Sequence, residues 1–211
     1  METEILPEIF DLELQGKKLY FDLNEEALAT QDLISYNKAW NWQMPATNSR
    51  IGLYLKIWEI LSPLDYDGQQ LIMDQIRAYA GVSAHIKEKN YCMSMAQLLE
   101  LSSSPLFTIG GHTQSHPMLT AFPRHVQMEE IKTNKEYLET LTKQKINTFA
   151  YPSGKHDDVT VEVVKELGFG LAFTTIYKHV ERDGDKLRIP RRQVLDLDIK
   201  SFKRAMGKWM L

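Results

Sequence analysis

The spacing of apolar residues changes along this chain, and the change divides it near residue 92. Before that point the pattern is mainly helical, because the apolar residues of "RIGLYLKIWEIL" recur on one helical face: Ile51, Leu55, Trp58 and Leu61. A second helix is predicted for "GQQLIMDQIRAYAG", ending at Gly81. Ser49 and Asp67 are the predicted N-caps of the two helices, and "KKLYFDL" is a candidate strand.

Beyond residue 92 short apolar runs alternate with amphipathic helices. A helix is predicted for "MSMAQLLELSSS", and buried strands are predicted for "LFTIGG", "NTFAYP" and "GLAFTT". The helices "HVQMEEIKTNKEYLETLTKQ" and "DDVTVEVVKELGF" separate these strands. This alternation predicts an α/β fold with a parallel sheet or barrel over residues 93–211, preceded by a mainly helical region over residues 1–92. In such folds functional residues gather at the carboxyl ends of the strands.

Composition removes several classes of function. The 25 basic and 28 acidic residues give a net charge of −3, which excludes the strongly basic surface of a nucleic-acid binder. With a single cysteine, a metal site has to use histidine and carboxylate ligands. The first residues contain neither a signal peptide nor a membrane span, so a cytoplasmic protein without a transmembrane segment is expected.

Two histidines follow the first predicted strand of the second region, in "FTIGGHTQSHPM". Gly110 and Gly111 are expected to let the backbone turn sharply at the strand end. The four-residue spacing of His112 and His116 can bring two imidazoles to one metal ion. Surface or capping histidines without a ligand fit the same pattern, because Zn²⁺ in proteins usually has three protein ligands or more.

A second polar loop, "FAYPSGKHDD", follows the next predicted strand. Pro152 and Gly154 are expected to fix its shape, and Asp157 or Asp158 to cap the following helix. His156 is a candidate for lining a cleft, since loops at neighbouring strand ends lie on one rim of the sheet. A plain connection between strand and helix explains the same residues without any chemistry.

Together these segments resemble the polysaccharide deacetylases, carbohydrate esterase family 4, with their NodB homology domain. "HTQSH" matches the family motif H-[ST]-x-x-H, "FAYPSG" resembles the Y-P-x-G motif, and "GFGLAFTT" with "RIPR" resembles the downstream strands. The resemblance extends from about Met93 to Arg192. It implies an incomplete (β/α) barrel with a mainly helical N-terminal elaboration.

The resemblance also implies an activity, the hydrolysis of acetyl groups on an acetylated glycan with a divalent metal, usually zinc. His112 and His116 would be metal ligands, and the backbone N–H of Ser153 would stabilise the oxyanion. The implied substrate-binding residues belong to the second loop: Tyr151, Pro152, Gly154 and His156.

The chain also departs from the family pattern. The motif T-F-D-D-G, which supplies the general base and the third metal ligand, does not occur, and the family arginine would fall at Ala150. The nearest similar segment, "LDYDG" at residues 64–68, is interpreted as a helix-capping segment. Little or no deacetylase activity is therefore expected of the chain as given.

Three explanations of this departure stay open, and the first is favoured. The chain is a fragment that begins inside the family domain, a non-catalytic metal- or carbohydrate-binding relative, or one part of a site that another chain completes. In the first case exposed apolar sheet edges predict self-association. Arg188, Arg191 and Arg192 are expected to form a solvated basic cluster, with pairing to acidic residues at a strand end or binding of a substrate anion as alternatives.

Overall fold

The computed structural model describes residues 8–24, 28, 30–41, 44–84, 91–194 and 196–209. The chain divides into two compact units, Met1–Lys87 and Glu88–Leu211. The two domains predicted to meet at residues 92 and 93 stay a prediction, because contact within a unit does not show that it folds alone. In the described helices, none is both long enough and apolar enough to cross a bilayer.

In its described residues, the first unit combines a β-hairpin with three helices. Strands β1 (Ile9–Leu14) and β2 (Lys17–Asp22) pair antiparallel, and α1 (Gln31–Ala39), α2 (Ser49–Leu61) and α3 (Tyr66–Ala80) follow. The core residues of this unit are apolar and almost fully buried: Phe10, Leu14, Leu19, Leu23 and Ile72. The strand predicted in "KKLYFDL" is confirmed as β2, whereas the mainly helical interpretation overlooked β1.

Two capping predictions in this unit were wrong by one or two positions. Asn48, not Ser49, accepts the hydrogen bond from the Ile51 N–H at 2.9 Å, because Ser49 is already the first helical residue of α2. Asp65, not Asp67, accepts from the Gly68 N–H at 2.9 Å and caps α3. The interpretation of "LDYDG" as a capping segment is therefore confirmed, as is the end of α3 at Gly81.

The second unit is an α/β arrangement around short parallel strands. Its helices are α4 (Met95–Ser103), α5 (Arg124–Thr142), α6 (Asp158–Glu166) and α7 (Ile199–Trp209). Strands β3 (Thr148–Ala150) and β4 (Leu171–Phe173) pair parallel. Parallel bridges add Gly111 beside β3 and Ile189 beside β4, so the spatial order of the four segments follows their order in the chain. The predicted α/β class is confirmed.

The strand predicted in "LFTIGG" is wrong over most of its length. Only Gly111 forms a bridge, and the side chains of Leu106 and Phe107 are 84% and 55% exposed. Within the described residues this segment has a hydrogen-bonded strand on one side only, and an apolar run without a second neighbour cannot be buried on both faces.

The core of the second unit lies between the strands and the helices α5 and α6. Ile131 of α5, Val163 and Val164 of α6 and Ala172 of β4 are fully buried, and Phe149 of β3 is 1% exposed. Full burial of an aliphatic or aromatic side chain stabilises a fold by about 1.5–3 kcal/mol. This packing holds the ends of β3 and β4 in place, and the loops described next follow from those ends.

Candidate functional site

The loop that carries the two histidines turns through unusual backbone conformations. Thr113 has φ 67° and His116 has φ 59°, in the left-handed region that residues other than glycine rarely adopt. The buried Thr113 hydroxyl accepts a hydrogen bond from the His116 N–H at 3.0 Å and closes the turn. The turn places the imidazole rings of His112 and His116 with centroids 4.8 Å apart and planes at 73°.

The predicted role of Gly110 and Gly111 in turning the backbone was wrong, because neither has a positive φ. Their small size serves close packing against β3. A Cβ atom on Gly110 would lie 2.7 Å from Oγ1 of Thr148, and one on Gly111 would lie 3.3 Å from the ring of Phe149.

Two side chains of helix α5 hold the histidine loop through hydrogen bonds. The Glu130 carboxylate accepts hydrogen bonds from the N–H groups of Gln114 and Ser115 at 3.0 and 2.9 Å, and from the Ser115 hydroxyl at 2.6 Å. One turn further along α5, Oδ1 of Asn134 accepts from the His112 N–H at 3.0 Å. Sequence reasoning overlooked both residues, although two polar residues four apart in a helix beside buried Ile131 are a signal for such contacts.

His112 is oriented by the residue that precedes the second loop. Its Nδ1–H donates to the Ala150 carbonyl oxygen at 2.7 Å, which fixes the tautomer that leaves Nε2 with a lone pair. Although the ring reaches solvent, the surrounding protein atoms lower the pKa of His112 by desolvation, and the charges of His116 and Arg191 lower it further. The bond to Ala150 acts in the opposite direction. The lowered pKa favours the neutral imidazole, the form that binds metals.

The "YPSG" loop after β3 is a single 3₁₀ turn, Pro152–Gly154, anchored by Tyr151. The Tyr151 side chain is buried, its hydroxyl donates to the Leu187 carbonyl oxygen at 2.8 Å, and burial raises the pKa of that hydroxyl well above its usual value. The His156 ring stacks on Tyr151 with centroids 4.7 Å apart, and its Nδ1–H donates to the Gly154 carbonyl oxygen at 2.9 Å. Ser153 is exposed at the tip with φ 53°.

The turn can hold only glycine at its third position. Gly154 has φ 69°, and a Cβ atom there would lie 2.0 Å from Oγ1 of Thr175 and 2.7 Å from its backbone nitrogen. The Thr175 hydroxyl donates in turn to the Ser153 carbonyl oxygen at 3.4 Å.

The carboxylates of Asp157 and Asp158 bind residues outside the histidine loop. Asp157 caps α6, because its carboxylate accepts from the N–H and the hydroxyl of Thr160, both at 2.8 Å. Asp158 pairs with Arg188 at 2.5 Å, which confirms that this arginine pairs with acidic residues. Across the described ranges, no group of three His, Cys, Asp or Glu side chains is placed to hold a metal ion.

The structure thus brings His112, His116 and the start of the "YPSG" loop together through the His112–Ala150 bond. Tyr151 and Pro152 are buried, whereas Gly154 and His156 are half-buried. The roles predicted for these residues, and the oxyanion role of Ser153, stay predictions.

Comparison with known proteins shows which family the region around the site resembles. Residues 75–172 match the family model described as Polysaccharide deacetylase. No curated protein sequence matches the chain significantly. Among solved structures, the Streptococcus pyogenes deacetylase PplD in complex with acetate is 25% identical, with a TM-score of 0.52, over 56% of this chain and 53% of that protein.

A polysaccharide deacetylase from Bacillus cereus is 24% identical with a TM-score of 0.50, over 56% of this chain and 38% of that protein, and supports the fold alone. The chain therefore spans about half or less of the length of these relatives. Its partial coverage of them fits an incomplete barrel of their type, and the resemblance to the polysaccharide deacetylase family is confirmed over residues 75–172.

Proposed function

We propose that this chain is part of an enzyme that removes acetyl groups from a carbohydrate, with His112 and His116 as ligands of a divalent metal ion. The observation that carries the proposal is the pair of imidazoles 4.8 Å apart, one of them hydrogen-bonded to the residue that leads into the "YPSG" loop. The match over residues 75–172 supports the reaction class.

The histidine loop fits a metal ion in its donor chemistry. Metal-binding histidines usually donate their second ring N–H to a carbonyl or carboxylate, as His112 does to Ala150. Zinc is the ion that two imidazoles suit best among the metals of hydrolases. When bound, such an ion polarises an acetyl carbonyl and lowers the pKa of water.

The protein groups around the histidines have distinct tasks. Glu130 and Asn134 hold the histidine loop in place through its backbone. The exposed tip at Ser153 presents a backbone N–H that would donate to an oxyanion, and buried Tyr151 and Pro152 would keep this tip rigid. Gly154 and His156 would line the rim on which an acetylated sugar lies.

We further propose that the chain as given turns over slowly. The sequence assigns no general base and no third metal ligand, and the loss of a general base typically lowers a rate about 10²–10⁴-fold. The alternative is a non-catalytic protein that binds metal or carbohydrate. A related proposal is self-association through the edge that exposes Leu106 and Phe107. Sedimentation velocity would then show an associated form of the chain, and Leu106→Ser should reduce its fraction.

Acetate release and metal binding, measured separately, test this proposal. The chain, His112→Ala and the control His125→Ala are titrated with Zn²⁺ or Co²⁺ and assayed on acetylated chito-oligosaccharides; His125 is exposed in the first turn of α5. We expect metal binding that His112→Ala removes and His125→Ala retains, with slow acetate release that follows the bound metal. Metal binding without any acetate release would favour the non-catalytic alternative. Equal metal binding by all three chains would contradict the proposed ligands.

A further inference from the structure

Helix α7 separates basic and apolar side chains onto opposite faces. Its eleven residues carry four basic groups and no acidic one. At 100° per residue, the basic side chains fall within one continuous arc: Lys200, Lys203, Arg204 and Lys208. The opposite arc is apolar: Ile199, Phe202, Ala205, Met206 and Trp209. Among the described helices of the second unit, this segregation is the sharpest.

The apolar arc does not pack into a core. No residue of α7 is buried, and Ile199, Phe202 and Met206 are 76%, 39% and 36% exposed. A helix of a globular unit normally buries its apolar arc, because burial of that face is its main source of stability. Ile199, Phe202 and Met206 are thus available for contact with something outside the described residues.

One end of α7 is fixed to the body of its unit. The Trp209 indole N–H donates to the Tyr177 hydroxyl at 3.0 Å, and the Arg192 guanidinium lies over both rings, 4.4 Å from the centre of Tyr177 and 5.7 Å from that of Trp209. Tyr177 is itself 61% exposed. An aromatic pair flanked by arginine therefore extends the surface beyond the helix.

We propose that α7, with Tyr177 and Arg192 beside it, binds the surface of a membrane that contains anionic lipids. A helix that lies in a membrane interface has cationic side chains on its polar face and Phe, Trp or Leu on the other, as here. Tyrosine and tryptophan favour the headgroup region, where an apolar ring and a polar group are both accommodated. The four positive charges complement anionic headgroups.

The tether at Trp209 favours a flat surface over a protein groove. A protein that binds an amphipathic helix in a groove encloses the apolar face along its length. Here Trp209 is held by Tyr177 and Arg192, so a groove would have to displace that contact. A bilayer contacts the helix and the adjacent aromatic pair together and requires no such change.

Flotation of the full chain with lipid vesicles tests this inference. We expect the chain to float with vesicles that contain about 30% phosphatidylglycerol, to float poorly with pure phosphatidylcholine, and to be released by salt. Phe202→Ser should lower partitioning about tenfold, whereas Tyr137→Ser, which removes an exposed aromatic ring from α5, should not.

Two double variants, each lacking two positive charges, distinguish the effect of charge on α7 from that of the net charge. Lys203→Gln with Arg204→Gln should lower partitioning about tenfold, whereas Lys132→Gln with Lys143→Gln, outside α7, should not. Circular dichroism melting checks that each variant is folded. Equal flotation of chain and Phe202→Ser, or flotation independent of phosphatidylglycerol, would overturn the inference. So would a self-associated form, seen by sedimentation velocity, that Phe202→Ser dissociates while no variant binds vesicles.

Discussion

Glu130 lies outside both loop motifs, yet its hydrogen bonds position the loop that carries the two histidines. Its carboxylate accepts two backbone N–H bonds and one hydroxyl bond from Gln114 and Ser115, two of the three residues between the histidines. We predict that Glu130→Ala weakens Zn²⁺ or Co²⁺ binding about tenfold, the range seen when groups that support metal ligands are removed. Isothermal titration with each metal ion measures the change.

Two further variants distinguish positioning by Glu130 from a general effect of charge. Glu130→Gln keeps an oxygen acceptor for the two N–H groups, so it should restore most of the metal affinity. Glu129→Ala removes an exposed carboxylate one residue away and should leave the affinity unchanged. A loss of affinity as large in Glu129→Ala as in Glu130→Ala would refute the positioning role.

Gly154 gives a prediction about stability. Gly154→Ala should lower the free energy of unfolding by about 2–4 kcal/mol, because alanine at φ 69° is strained and its Cβ would overlap Thr175. Gly168→Ala is the matched control, with φ 74° but no atom nearer than 4.0 Å, and should cost only the conformational part. Urea denaturation of both variants measures the difference, and equal losses would mean that the contact with Thr175 is unimportant.

At the scale of residues, the sequence predicts those parts of the site that lie within short motifs. The pair His112 and His116 and the turn at Gly154 are examples. Glu130 and Asn134 could not be assigned in this way, because their contacts join residues that are distant in the chain. The left-handed φ of Thr113 was equally hidden, since a β-branched residue carries no local preference for it.

Among the elements, helix α6 illustrates a cap that the sequence predicts and the structure confirms. The pKa of Asp157 is lowered, chiefly by the hydrogen bond from the Thr160 N–H. A carboxyl whose folded-state pKa is lowered stabilises the fold above its unfolded pKa of about 4, and that stabilisation is lost as pH falls through the folded-state value.

We therefore predict a pH-dependent effect of Asp157→Ala. The variant should lose about 1 kcal/mol of unfolding free energy at neutral pH, and less as the pH falls below about 4. Asp157→Asn, which keeps an oxygen acceptor without a charge, should lie between the two proteins at neutral pH. Thermal melts between neutral and acidic pH measure this, and a difference that stays constant with pH would contradict the charged cap.

Strand lengths were the weakest prediction at this scale. The apolar runs around β3 and β4 predicted longer strands than the three residues each that pair. A strand forms only where a neighbouring segment pairs with its backbone. The sequence of one segment does not show which segment that is. Leu106 and Phe107 show this, being apolar in sequence and exposed in the structure.

For the whole molecule, the sequence predicts the change from a helical to an α/β region, but the prediction for the first region lacks strand β1. The hairpin of β1 and β2 supplies much of the first unit's core, including Phe10, Leu14 and Leu19. Its alternation of apolar and polar residues in "IFDLEL" was present, but the neighbouring helical patterns outweighed it.

The agreement between chain order and spatial order in the parallel segments has a consequence for how the second unit folds. Each segment pairs with its neighbour in sequence, so β3, α6 and β4 can close early, whereas the histidine loop must wait for α5 to dock. Short loops close at a lower entropic cost than long ones, and contacts of low sequence separation form early.

We expect this sequence of events to be visible in kinetics. Val163→Ala, in the fully buried part of α6, should remove about 2 kcal/mol and chiefly slow refolding, whereas Glu130→Ala should chiefly accelerate unfolding. Stopped-flow refolding and unfolding in urea distinguish the two, and the reverse assignment would contradict it. On this account the histidine loop is the last part to assemble and the first to open, so the proposed metal ligands His112 and His116 can separate while β3, α6 and β4 stay folded.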